Sequence, residues 1–178
     1  MTKYHLRRMD RAIKDQELNN QILGSATHIN LAMIDGDEPY IVPLNYIYEP
    51  IQKTIYFHGA KEGKKIDILK KNPRVWGSAV IDHGFGEGQC ENLYASVVFS
   101  GNVSFIEDQK TKLMVLRMQI DKQSGDREEM RRRLEVMALK GDHLFNSADF
   151  GRIKIDSMTG KRSTLWTEER LKEILNQP

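Results

Sequence analysis

Thr54-Ile55-Tyr56-Phe57-His58-Gly59-Ala60-Lys61-Glu62-Gly63-Lys64-Lys65-Ile66-Asp67-Ile68-Leu69-Lys70-Lys71 changes character halfway. Its first five residues are β-branched or aromatic, the composition of a strand. Gly59 and Ala60 then let a backbone or ligand approach closely, and a helix is predicted from Gly63 to Lys71. Asn72-Pro73 ends it, because the residue before a proline is driven out of the helical region. A strand that runs through small residues into a helix led by two lysines sets the frame for the rest.

On the N-terminal side, Tyr40 to Tyr48 and His28 to Ile34 read as two strands joined by Asp35-Gly36-Asp37-Glu38, a hairpin signal. A short helix precedes them, with Asp15 as N-cap, Leu18 and Ile22 on one face, and Gly24 at C′. On the C-terminal side, Val75 to Asp82 and Tyr94 to Ile106 are predicted strands flanking a Gly-rich loop, His83 to Asn92. Gly101 suits a bulge. Amphipathic helices are expected over 110–120 and 126–140, then a last hairpin, 152–156 and 161–164, turning at Met158-Thr159-Gly160. Thr167 should cap a terminal helix carrying Leu171, Ile174 and Leu175. The fold class is therefore mainly β with flanking helices: six antiparallel strands in a small barrel. One domain over 1–178 is expected, with a lead-in and helix over 1–27 and a C-terminal helix over 165–178. No Gly-x-Gly-x-x-Gly follows a strand, which removes the dinucleotide fingerprint.

The chain has 178 residues, 27 basic and 25 acidic, a formal charge of +2. That balance argues against a nucleic-acid binder working through bulk charge. Aromatics at 8% argue against the stacking platforms of an oligonucleotide-binding barrel. No apolar run is long enough to cross a bilayer and the start lacks a signal-peptide core, so a soluble, cytoplasmic chain is expected. Cys90 is the sole cysteine and cannot form an internal disulfide. His5, His28, His58, His83 and His143 have no metal-ligand spacing, so no metal is expected.

Two stretches can carry chemistry. Backbone N–H groups at the start of the 63–71 helix, beside Lys64 and Lys65, suit a phosphate; a merely solvated lysine face is the other reading. In Tyr40-Ile41-Val42-Pro43-Leu44-Asn45-Tyr46, Pro43 belongs at an edge or an interruption, where free backbone groups could meet a planar polar ligand. Arg131-Arg132-Arg133 reads as a solvated face, and Met114, Met118, Met130 and Met137 as core filler.

With Asn72-Pro73-Arg74-Val75, Arg7-Arg8-Met9-Asp10-Arg11, Tyr94-Ala95-Ser96-Val97-Val98-Phe99-Ser100-Gly101 and Thr159-Gly160-Lys161, these stretches resemble the FMN-binding split-barrel superfamily. The resemblance covers roughly 7–163 and is nearest the nitroimidazole-resistance-type branch related to pyridoxamine 5′-phosphate oxidase. It implies a six-stranded split β-barrel and a homodimer with FMN at the interface. Lys64 and Lys65 would hold the phosphate, with Gly59 and Ala60 in close contact. Val42, Pro43, Leu44 and Asn45 would line the isoalloxazine, with His58 beside it and Ser96 contacting the flavin. Trp166 is either a lid given by the partner or packing for its own terminal helix. Tyr40 and Asn45 stand where the oxidase branch has Arg and Lys, and its late Arg-Leu-His-x-Arg motif is missing, so oxidation of pyridoxamine phosphate is not expected. No catalytic residue stands out. The resemblance implies an FMN-dependent oxidoreductase acting on a small-molecule redox substrate such as a nitroaromatic, or else a non-catalytic flavin- or haem-binding protein.

Overall fold

In a computed structural model that describes residues 7–88, 90–122, 125–139 and 147–176, eight antiparallel strands form one curled sheet. His5 and His143 lie outside the described residues. After a 3-10 turn, Met9–Arg11, come β1 (Ala12–Ile13), α1 (Gln16–Ser25), β2 (Ile29–Asp35), β3 (Glu38–Leu44) and β4 (Ile47–Glu49). Next are β5 (Thr54–Ala60), α2 (Lys64–Lys71), β6 (Arg74–Phe85), β7 (Asn92–Phe105), α3 (Gln109–Lys122) and α4 (Arg127–Leu139). β8 (Ala148–Arg162) and α5 (Glu168–Leu175) complete the described elements.

The expected order of elements holds, and the count of strands rises from six to eight. The run over 40–48 breaks at Asn45-Tyr46 into β3 and β4, and two residues before α1 pair with β8 as β1. The expected final hairpin does not form. β8 is one continuous strand, because β7 holds it from Gly151 to Arg162, with a register shift at Ser100/Gly101, and β5 holds it from Ala148 to Lys154. Gly160 serves packing rather than a turn: a Cβ there would lie 1.7 Å from Asn19 Oδ1 on α1. Gly24 likewise stays inside α1, which ends one residue later. Asp15 caps α1 by accepting from the N–H groups of Glu17 and Leu18, and Thr167 caps α5 through Arg170 N–H. Between β2 and β3, Gly36 takes φ +63°, as a two-residue hairpin turn requires.

The strand order is β3-β2-β6-β7-β8-β5-β4. Its two end strands, β3 and β4, are consecutive in sequence and separated only by Asn45 and Tyr46. Two residues span about 10 Å at most between the strand ends, so the sheet must curl until its edges nearly meet. This is a split barrel. Inside it, Phe57 on β5 lies over Gly151 of β8, and Phe99 on β7 over Gly77 of β6, each glycine directly opposite its ring. Any side chain at Gly77 or Gly151 would enter those rings. Both phenylalanines are fully buried with Leu31, Met33, Ile55 and Ile153. Each such side chain contributes about 1.5–3 kcal/mol of burial.

A second buried cluster joins α1, β7 and α5 through Leu18, Ile22, Val97, Trp166 and Leu171. Trp166 therefore packs against its own chain, edge-on to His83 at 5.3 Å. Val115 brings α3 against the barrel, with Met118 packed partly into the same region, and α4 packs on α3 with Leu134 buried. Met114 and Met130 are exposed, so the four methionines do not all fill the core. Arg131 pairs with Asp121, while Arg132 and Arg133 both reach Glu129 at 2.8 Å, as expected of a solvated face.

Candidate functional site

The place where β3 gives way to β4 gathers most of the predicted site. β3 is an edge strand paired only to β2, so Pro43, opposite Asn30, removes no bond from a neighbouring ladder. The outer side of Val42, Pro43 and Leu44 faces a small cavity of about 230 Å³ that is closed by Ala60, Gly63, Lys64 and Lys65. Asn45 lies beyond its far end, where β3 stops.

The two lysines differ. Lys64 Nζ sits 3.4 Å from Asp35 Oδ2 and 5.1 Å above the Tyr40 ring, with its side chain about half exposed. Lys65 turns inward, 6.0 Å from the Phe57 ring centre, and its ammonium lies over Gly59, where a Cβ would come within 3.1 Å. Burial holds the Lys65 ammonium below the ordinary lysine range, and among the described residues it has no hydrogen bond or ion pair. A half-buried cation without an anion is costly unless something supplies one. α2 begins behind it at Gly63, φ +132°, with no side-chain cap; Ile66 N–H closes on Gly63 O at 2.8 Å, and among the described residues the N–H groups of Lys64 and Lys65 stay open. Ammonium, open amides and missing Cβ together make a cradle for an anion such as a phosphate monoester. Tyr40 lines the same cavity, and its ring lies under the Lys64 ammonium.

His58 follows on β5, stacked on Phe150 with ring centres 5.5 Å apart. Burial first, and then the nearby Lys65 charge, lower its pKa below 6.5, while a hydrogen bond with Gln119 of α3 opposes them. Burial thus favours the neutral form of the ring. His58 also lines a larger cleft of about 650 Å³, bounded by Pro43, Leu44 and Asn45 on one side and by α3 and α4 on the other. Sequence reading missed these two helices as site elements. Leu116, Gln119 and Ile120 on α3, and Met130, Arg133 and Met137 on α4, repeat at three- and four-residue steps; that spacing is the signal, and it does not distinguish a face on the core from a face on a cleft.

On the opposite side of Asn45, Lys122 fixes the break in the sheet. Its Nζ donates to Ala26 O at 2.8 Å and Tyr46 O at 3.3 Å and lies 3.7 Å from the Tyr46 ring centre. Burial lowers its pKa to about 8. The Tyr46 hydroxyl donates to Leu23 O.

Val42, Pro43, Leu44, Asn45, His58, Ala60, Lys64 and Lys65 thus line two adjoining cavities, with Gly59 beneath the Lys65 ammonium. Ser96 does not join them. It lies on β7 between Val80 and Lys161, on the outer face of the sheet, with Oγ 3.5 Å from Lys161 O. That face also carries exposed Ile34, Ile41, Trp76, Val80 and Val98. Among the described residues, no group of three or more His, Cys, Asp or Glu is arranged to hold a metal ion, and no helix is long and apolar enough to cross a membrane.

The family model described as pyridoxamine 5′-phosphate oxidase matches residues 15–162. A candidate 5-nitroimidazole antibiotic resistance protein from Bacteroides thetaiotaomicron is similar in structure at 25% identity and TM-score 0.66, over 84% of this chain and 85% of that one. A flavocytochrome from Azotobacter vinelandii is similar at 20% identity and TM-score 0.70, over 97% and 78%. An FAD-binding protein from Mesorhizobium loti is similar at 22% identity and TM-score 0.57, over 86% and 97%. No curated protein sequence matches significantly.

Proposed function

The chain belongs to the pyridoxamine 5′-phosphate oxidase family, and on that footing we propose that it is an FMN-binding flavoprotein that acts as an oxidoreductase on a small-molecule redox substrate. The observation that carries the reading is the half-buried Lys65 ammonium, unpaired among the described residues and set over Gly59 at the N-terminus of α2. It is a built receptor for a terminal phosphate dianion, which FMN has and riboflavin lacks. Lys64 adds a second, more exposed charge. Gly59 and Ala60 let the phosphate arm approach, and Val42 to Asn45 offer the outward groups of an edge strand to the ring system. His58 supplies an imidazole beside it. When bound, the flavin supplies hydride and single-electron chemistry; the protein binds it, orients it and excludes water.

The assembly that fits this site is a two-fold dimer. Ile34, Ile41, Trp76, Val80 and Val98 form an apolar patch on the outer face of β2, β3, β6 and β7, each of them 41–63% exposed. A second copy seated there is the partner of matching chemistry, because two-fold pairing covers the patch with itself. The patch runs from the edge strand β3 to the β7 strand that carries Ser96. Pairing across it would bring Ser96 of each protomer to the site of the other, which explains why it stands apart from the other residues in one chain.

Absorption spectra test the reading. Purified protein mixed with FMN should show the paired flavin bands with a shifted long-wavelength maximum, and denaturation should release FMN rather than FAD. A Soret band on adding haemin, with no change on adding FMN, would replace the flavin reading with the haem-binding alternative. Sedimentation should show a dimer with one FMN per chain.

A further inference from the structure

The cleft between β3 and the two helices is larger than the phosphate cradle and lies at the other end of Pro43 and Leu44. Its helical wall is specific in chemistry. From α4, Met130, Leu134 and Met137 present an apolar face at three- and four-residue steps, and Arg133 stands in the middle of it. From α3, Leu116 and Ile120 flank Gln119, which lines the cleft together with His58 of the strand side. Methionines suit a flat ligand, since their unbranched, polarisable side chains adapt to a ring face. Met130 is 43% exposed, an apolar group left to water beside a cleft.

Charge gives the cleft a sign. Glu129 accepts from Arg132 and Arg133 together, one carboxylate between two guanidiniums, so the group keeps one positive charge. Arg133 uses only its Nε on Glu129 among the described residues, which leaves the fork of the guanidinium for another acceptor. At about 650 Å³ the space suits a one- or two-ring molecule, within the usual range of small-molecule sites.

We propose that this cleft binds a flat aromatic molecule bearing a carboxylate or similar anionic group, with Arg133 on the anion, the α4 methionines on the ring and His58 with Gln119 at the opposite end. The proposal names the class of small molecule taken by the site described above, and it rests on the flavin reading only for the use made of that molecule.

Calorimetric titration with 4-nitrobenzoate and its neutral counterpart 4-nitrobenzamide tests it, with and without FMN added. The wild type should bind the carboxylate about ten-fold or more tightly than the amide, the gain expected of one charge-assisted bond. Arg133→Gln should remove the difference while leaving amide affinity within about two-fold. Arg132→Gln, which takes one charge from the Glu129 cluster but does not line the cleft, should shrink the difference and keep its direction, because the Arg133 fork still faces the anion. Lys65→Gln, which alters only the phosphate cradle, should keep the difference. Equal affinity for the two ligands in the wild type, or a preference that survives Arg133→Gln, overturns the proposal. Failure of FMN to bind would overturn the flavin reading alone, because the ligand preference is read without it.

Discussion

Replacing Lys65 by glutamine should weaken FMN binding far more than the same change at Lys64. Lys65 is half-buried and has no anionic partner among the described residues, so its charge is available to a phosphate. A charge-assisted hydrogen bond of about 1.5–3 kcal/mol corresponds to a loss of about ten-fold to 150-fold in affinity. Lys64 is already shared with Asp35 at 3.4 Å and is open to solvent. Its contribution is that of a surface ion pair, about 1 kcal/mol or less, or about five-fold at most. Added salt should erase the Lys64 effect and leave most of the Lys65 effect. Quenching of flavin fluorescence on titration reads both, with riboflavin as control, since neither substitution should change riboflavin affinity. The free protein gives an independent check: Lys65→Gln relieves a buried, unpaired ammonium, so its melting temperature without cofactor should hold or rise while FMN affinity falls. If Lys64→Gln costs as much as Lys65→Gln, or if riboflavin loses affinity in parallel with FMN, the segment is not a phosphate cradle.

Trp76→Glu would set two carboxylates into a two-fold interface and should weaken the dimer by about a hundred-fold or more, with loss of FMN, as sedimentation with absorbance detection would show. Gly160→Ala would drive a Cβ into Asn19 Oδ1 of α1 and Ile13 of β1 and should cost about 1–3 kcal/mol in denaturant melts, whereas Gly24→Ala, with open space around it, should be neutral or stabilising. Stability should also rise with pH above about 8. The folded chain releases the Lys122 proton near 8 and the unfolded chain near about 10.4, so between them the unfolded state holds more protons. Burial of Tyr46 and Tyr48 raises both phenols and reverses the trend above about pH 10; Lys122→Met should flatten the rise in melts at pH 7.5 and 9.5 without touching the fall.

Local signals made most of the elements legible. Asp15 and Thr167 announced helix starts, Asn72-Pro73 a helix end and Asp35-Gly36 a turn, because each acts on its own few residues. Gly160 misled for the opposite reason. Its role is set by Asn19, 141 positions earlier in the chain, and nothing near it in sequence distinguishes a packing glycine from a turn glycine. The breaks at Asn45-Tyr46 depended equally on distant partners: Lys122 and Leu23 hold that segment from α3 and α1. In the candidate site, the lysines and small residues of the strand-to-helix segment were in plain view. The difference between Lys64 and Lys65 did not show, since it comes from which of two adjacent side chains faces Asp35 and which faces Phe57. The cleft wall stayed hidden because an apolar stripe reads alike whether it meets a core or a cavity.

Because the first and last strands of the sheet are tied by two residues, the barrel opens and closes at one seam. Breathing there would expose the amides of Tyr40, Ile41, Val42 and Leu44 and those of Ile47 to Glu49 in a single event, although these strands stand at opposite ends of the strand order. A molecule lodged along β3 then works as a clasp on the seam rather than a passenger on one edge. Deuterium uptake in both segments should slow together and by the same factor when ligand is added, while the amides of β7, in the middle of the sheet, keep their rates.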